Sequence, residues 1–203
     1  KSPLATELLL QQPNKLRGVT ACKEDDERSA ILNRLITPPK VVLLGAPNTG
    51  KSTLMNALTR QDTSIVHNLP GATRDAVGAR INCNGVTIDL YDLPGFRKSD
   101  DAIEQEAINI AKTIANEAVL TLLISDSKNN WLETTRNCIR VATKSDLQAR
   151  DDADLCVSAK TGEHLQELSL AIRDAIVPPD VLRHDGPWFF EGYKPTELKP
   201  QST

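Results

Sequence analysis

A mixed, mostly parallel α/β sheet with helices on both faces is the fold class this sequence predicts, and three observations predict it. The apolar, β-branched-rich run Lys40-Val41-Val42-Leu43-Leu44 ends at Gly45 and gives way to 51–59, where Leu54, Ala57 and Leu58 share one helical stripe. The segments 79–83 and 86–91 flank Asn84-Gly85, the dipeptide that favours a tight type I′ hairpin, so one strand pair is antiparallel. From there to about residue 176, strand-like and helix-like segments alternate, the signature of parallel units joined by helical crossovers.

The elements follow in chain order. Residues 1–37 read as a helical arm: Leu4, Leu8 and Leu9 share a face, and Ile31, Leu32 and Leu35 recur at helical spacing. The charged run Lys23 to Arg28 between them reads as a solvated turn or helix face. Proline pairs at 38–39 and 178–179 bracket a central domain, 38–178, because the residue before a proline is pushed out of helical geometry. Within it, Ile103, Ala107, Ile110, Ala111 and Ile114 mark a helix; Ala118–Ile124, Ile139–Thr143 and Leu155–Val157 mark strands; and Leu165, Leu168, Ile172 and Ile176 mark a closing helix. Six strands and two helical faces make a three-layer domain. Residues 127–137 have room for only one or two helical turns where a full crossover helix is usual, so that sheet face is expected to be covered by the arm or by the tail, 179–203.

Composition bounds the function. The chain has 203 residues, and its 24 Lys+Arg against 27 Asp+Glu offer no dedicated basic surface for nucleic acid. No apolar run approaches the roughly 18 residues of a membrane span, and a cytoplasmic protein is expected. The first residue, Lys1, is not Met, so the chain is expected to be a piece of something longer. Cys22, Cys83, Cys138 and Cys156 are scattered without a C-x-x-C pair and read as reduced core thiols. Of seven aromatic residues, Trp188, Phe189, Phe190 and Tyr193 cluster in the tail, either as a staple onto the short crossover or as a docking peptide.

Gly45-Ala46-Pro47-Asn48-Thr49-Gly50-Lys51-Ser52 satisfies G-x-x-x-x-G-K-[ST] between a strand and a helix, with Thr53 next. Such a loop turns its backbone N–H groups onto phosphate oxygens beside a helix N-terminus, the lysine reaches the β and γ phosphates, and the serine can bind Mg²⁺. By itself the loop leaves ATP and GTP open. Asp92-Leu93-Pro94-Gly95 follows the hairpin, placing an acid for the Mg²⁺ shell and a glycine N–H for the γ-phosphate. Thr143-Lys144-Ser145-Asp146 and Ser158-Ala159-Lys160 each follow a strand.

This ordered set resembles the translation-factor-related P-loop GTPases over about 38–178. The resemblance implies guanine recognition: Asp146 accepts from the guanine N1–H and 2-amino group, Lys144 lies along the base, and the loop of Ser158, Ala159 and Lys160 supplies backbone to the guanine oxygen. Thr143 departs from the commoner asparagine. Pro70-Gly71-Ala72-Thr73-Arg74-Asp75 resembles the first switch of the Era, EngA and MnmE/TrmE branch, which makes Thr73 a Mg²⁺ ligand with Ser52 and Asp92. Phe96 stands where Ras-like proteins keep a water-orienting glutamine. Within the branch the sequence is most similar to MnmE/TrmE. That similarity implies a K⁺ ion held partly by Asn48, an indirect base at Glu104 in Asp101-Ala102-Ile103-Glu104, pairing of G domains, and a protein partner in tRNA wobble-uridine modification. Two plainer readings stay open: Asn48 shaping the loop, and Glu104 as a helix-start acid.

The family's folate-binding domain and its Cys-x-Gly-Lys ending are not recognisable, so the modification chemistry itself belongs elsewhere. The expected activity is hydrolysis of GTP to GDP with Mg²⁺ and K⁺, with Lys51, Asn48 and Glu104 as catalytic candidates. The alternatives are an Era/EngA-like ribosome-assembly GTPase, or a nucleotide-binding interaction module whose own hydrolysis is vestigial. The Leu-Pro-Gly segments also resemble the G domain of ferrous-iron transporters, whose membrane spans have no counterpart here.

Overall fold

The computed structural model describes residues 2–16, 23–61, 77–93, 113–132 and 137–190. The expected sheet forms, six strands in the order β2-β3-β1-β4-β5-β6. β1 (Lys40–Gly45) lies parallel to β3 (Val86–Asp92) on one side and to β4 (Leu120–Ser125) on the other. β5 (Cys138–Ala142) and β6 (Leu155–Cys156) continue the parallel set, while β2 (Val77–Cys83) runs antiparallel to β3. At the turn between β2 and β3, Asn84 and Gly85 both have positive φ, 48° and 92°, as a type I′ hairpin requires. The Asn82 side chain accepts from the Gly85 N–H at 2.7 Å and closes the turn.

Alternation along the strands divides the apolar residues between two faces. Val41, Leu43, Leu122 and Ile124 pack with Leu54 and Leu58 of α3 (Lys51–Gln61) and with Leu168 and Ile172 of α4 (Leu165–Ile176). Val42 points the other way, into a smaller cluster with Tyr91, Leu93 and Ile114, the last in helical residues 113–117.

The arm is helical as expected, α1 (Pro3–Lys15) and α2 (Lys23–Leu32) followed by a 3-10 turn, Asn33–Leu35. The charged run is not wholly solvated, however. Arg28 is buried and its guanidinium donates to four carbonyls, those of Val181 (3.3 Å), His184 (2.9 Å), Gly186 (3.0 Å) and Pro187 (2.6 Å). These belong to α5 (Pro179–Arg183) and the strap that follows it. Trp188 on that strap is fully buried; its indole N–H donates to Asn33 at 3.0 Å and its backbone N–H to Gln12 at 2.8 Å. Phe190 meets it edge-on at 6.0 Å.

The described aromatic residues of the tail, Trp188 to Phe190, thus act as a staple onto the arm. Arm and tail join the cluster that contains Leu43, Leu122 and α4, because the Trp188 indole and the apolar side chains Ala5, Leu32 and Leu35 complete one apolar surface there. The described part of the crossover, 127–132, is a turn without a helix. Arg150 ties it down instead, donating to the Ser125 hydroxyl (3.1 Å) and to the carbonyls of Asp126 (2.8 Å) and Asn129 (2.6 Å). Of the cysteines, Cys83 is buried, whereas Cys138 and Cys156, on β5 and β6, are half-buried, and none of the three forms a disulfide among the described residues. Cys22 and Tyr193 lie outside the described residues.

Candidate functional site

Most of the expected site residues that the structure describes lie at the carboxyl ends of the parallel strands, where ligands of open α/β sheets bind. Gly45 ends β1, and a Cβ there would sit 2.1 Å from the Ile124 carbonyl oxygen, so only glycine lets β1 turn against β4. Ala46, Pro47, Asn48, Thr49 and Gly50 make the loop into α3, with Asn48 (φ 63°) and Gly50 (φ 93°) in left-handed backbone. That alternation aims successive N–H groups inward. Thr49 is fully buried and braces the loop by donating to the Ala46 carbonyl at 2.8 Å.

Lys51 curls over the loop, its ammonium 2.9 Å from the Gly45 carbonyl and 3.0 Å from that of Ala46. Partial burial lowers its pKa, and the charge of Asp92 opposes that shift. A cation held on two neutral carbonyls has stronger partners in anionic phosphate oxygens. Ser52, in the first turn of α3 with Thr53 beside it, donates to the Asp92 carboxylate at 2.5 Å. Two hard oxygen donors side by side next to a phosphate-type loop suit Mg²⁺, which takes one or two protein oxygens and completes its octahedron with water and phosphate.

The second half of the site is built on β5 and β6. Thr143 is buried, and its hydroxyl lies 2.5 Å from the Thr49 carbonyl and 3.2 Å from that of Ser125, so the hydroxyl found in place of a carboxamide still bridges to the phosphate loop. Lys144 stands in left-handed backbone (φ 61°) and donates to the Asn48 carbonyl and to Asp126, both at 2.8 Å. Asp146 accepts from the Ser158 hydroxyl at 2.8 Å, and Ser158, fully buried, also accepts from the Thr161 N–H at 3.3 Å. Ala159 and Lys160 form the turn between them. Asp146 is thereby fixed by one oxygen and keeps the other for a ligand.

Sequence reasoning passed over Asp126. Burial would push its carboxyl pKa up, but the hydrogen bonds from Lys144, Asn129 and the Lys128 N–H outweigh that and hold it at about 2. The signal for it was its place directly after β4, at the carboxyl end of the sheet. Arg150 was also missed; its hydrogen bond, ahead of one from Trp131, holds the Asp152 carboxyl well below the usual range. The remaining expected site residues, Thr73, Gly95, Phe96 and Glu104, lie outside the described residues.

The 50S ribosome-binding GTPase family model matches residues 40–157. The chain belongs to that family. This GTPase is 43% identical over 158 residues to the tRNA modification GTPase MnmE of Acidiphilium cryptum, covering 76% of the chain and 36% of that protein. It is 32% identical over 191 residues to the MnmE of Synechococcus sp. strain CC9311, covering 84% of the chain and 41% of that protein. The chain thus spans well under half the length of these relatives. Among solved structures it is similar to Aquifex aeolicus Era bound to GDP·AlF₄⁻ (TM-score 0.51, 26% identity, 66% of this chain and 55% of that one). It is also similar to the cytosolic domain of the T. maritima FeoB iron transporter in apo form (TM-score 0.51, 30% identity, 68% of this chain and 64% of that one). The chain is therefore a P-loop GTP hydrolase, and no described helix is long and apolar enough to cross a membrane.

Proposed function

We propose that this GTPase is the nucleotide-hydrolysing part of a cytoplasmic MnmE-like protein, that it works with Mg²⁺ and K⁺, and that it acts in tRNA wobble-uridine modification with a partner protein. The observation that carries this reading is the convergence at one sheet end of three things: the Lys51 loop, the Ser52–Asp92 oxygen pair at 2.5 Å, and Asp146 held beside Lys144. Lys51 exchanges its two carbonyls for β- and γ-phosphate oxygens, the loop N–H groups and the start of α3 hold the remaining phosphate charge, and Gly95 adds an N–H at the γ-phosphate. Ser52 and Asp92, with Thr73, would hold Mg²⁺, and Asn48 on the exposed loop would hold K⁺; bound there, the cations would supply neutralisation of the charge that builds between the β and γ phosphates. Asp146 selects guanine, Lys144 flanks the base, and the turn at Ser158, Ala159 and Lys160 reads the guanine oxygen. Glu104 polarises the attacking water, a task Phe96 cannot perform. The MnmE relatives support this reading over an Era-like one.

Hydrolysis measured in KCl and in NaCl at equal ionic strength, with and without GDP·AlFₓ to promote G-domain pairing, tests it. The rate is expected to be higher in K⁺ by about tenfold or more, the range of a modest transition-state charge contribution. In Glu104→Ala the rate collapses while GDP binding persists. Equal rates in the two salts would remove K⁺ from the mechanism.

A further inference from the structure

We propose that Asp126 is a positioning residue for guanine-nucleotide recognition: its carboxylate holds the Lys144 ammonium against the Asn48 carbonyl, locking the base-binding segment to the phosphate loop, and Arg150 secures the turn that carries it. The proposal rests on the reading of 143–146 as the base-recognition segment. Asp126 is buried at the end of β4 and divides its two oxygens by task. Oδ1 accepts from the N–H groups of Lys128 (3.1 Å) and Asn129 (3.2 Å) and from the Asn129 amide (2.7 Å), which orients the carboxylate rigidly on its own turn. Oδ2 accepts from Lys144 at 2.8 Å. The same ammonium reaches Asn48 in the phosphate loop, so three separate loops meet at one nitrogen.

A lysine stem has four rotatable bonds and loses close to 2 kcal/mol of side-chain entropy when fixed. One neutral carbonyl is a weak anchor against that; a buried carboxylate is a strong one. Asp126 therefore lays the stem along the base plane before nucleotide arrives, and binding does not have to order it.

The turn needs its own support, because no described helix covers it. Arg150 supplies that support with one face of its fork on Ser125, Asp126 and Asn129 and the other bidentate on Asp152, at 2.8 Å for both bonds. The guanidinium lies 4.4 Å from the Trp131 ring centre, and the Trp131 indole donates to Asp152 at 2.8 Å. A planar five-donor fork can meet all of these at once; an ammonium cannot.

The test uses Asp126→Asn, Lys144→Ala and the double variant, read by competition of GDP and of ADP against fluorescently labelled GDP, with thermal denaturation alongside. Asparagine keeps an acceptor for the turn N–H groups but presents no negative charge to Lys144. Asp126→Asn is expected to weaken GDP about tenfold and to lower the melting temperature at pH 7 but not near pH 2, and to add nothing to the loss of GDP affinity in the Lys144→Ala background. Undiminished GDP affinity in Asp126→Asn, or losses that add to those of Lys144→Ala, would overturn the inference. A parent protein that takes ADP as tightly as GDP would instead overturn the base-recognition reading, and this inference with it. Should Asp126→Asn fail to fold, Arg150→Lys reads the same coupling: a several-fold loss of GDP affinity with Lys144 present and none without it, additive losses again overturning the proposal.

Discussion

The two ends of this molecule solve one problem with opposite permanence. At the nucleotide end Lys51 rests on the carbonyls of Gly45 and Ala46, and at the flanking end Arg28 rests on four carbonyls of α5 and the strap that follows it. Both cations are partly stripped of water, and burial lowers the pKa of each. Lys51 has a flexible stem, two neutral partners and an open loop above it, so a phosphate can take it over. Arg28 has a planar fork whose donors are already distributed and an indole sealing the same strap, so nothing in reach offers it better partners. The chemistry of a cation on carbonyls is shared; what separates a binding residue from a structural one is whether stronger partners can arrive.

The largest test of this contrast is Trp188→Ala. Removing a fully buried indole is expected to lower stability by about 3–5 kcal/mol in chemical denaturation while GDP affinity of the folded protein stays unchanged. A loss of affinity with little loss of stability would show that the strap belongs to the nucleotide end after all. Lys51→Ala is expected to do the reverse, weakening GDP by about 2–5 kcal/mol in titration and moving stability without nucleotide by less than about 1 kcal/mol.

The hairpin tip lies against the arm, away from the nucleotide end, with the Leu4 N–H donating to the Gly85 carbonyl. Gly85→Ala meets both a left-handed backbone at φ 92° and Leu4 Cγ only 2.8 Å from the new Cβ, so it is expected to destabilise by about 1–3 kcal/mol and to loosen α1 first, seen as faster amide exchange in 3–15. Exchange that rises equally throughout the chain would break that assignment.

The smallest effect is on the acid limb of stability. The Asp126 carboxyl is held at about 2, below its ordinary value of 3.8, so its contribution is complete above about pH 4 and is lost as pH falls towards 2. Denaturation at pH 7 and pH 3 should therefore show a shallower decline in Asp126→Asn than in the parent. Parallel declines would mean that Lys144 is not held by charge.

Legibility followed the range of the interaction. The phosphate loop, the hairpin, Thr143 to Asp146 and Ser158 to Lys160 could be read because each is a run of adjacent residues whose spacing carries the geometry. The clasp of Arg150 with Trp131 and Asp152 could not, because Arg150 and Trp131 are separated by a strand and meet only when β5 is laid beside β4. Arg28 was misread for a related reason. Its neighbours in sequence are acidic and solvated, and nothing local announces that carbonyls more than 150 residues away will close over it.

The sequence by itself determined the sheet with its one antiparallel pair, the glycine loop before α3 and the turns at 143–146 and 158–160, since alternation, glycine turns and contiguous motifs are local consequences of backbone geometry. Only the tertiary structure decided that Trp188 and its neighbours staple the arm, and that Asp126 ties Lys144 to the phosphate loop. Those outcomes depend on which buried polar groups find partners across the folded chain, and a buried donor or acceptor accepts whichever partner the packing brings within reach.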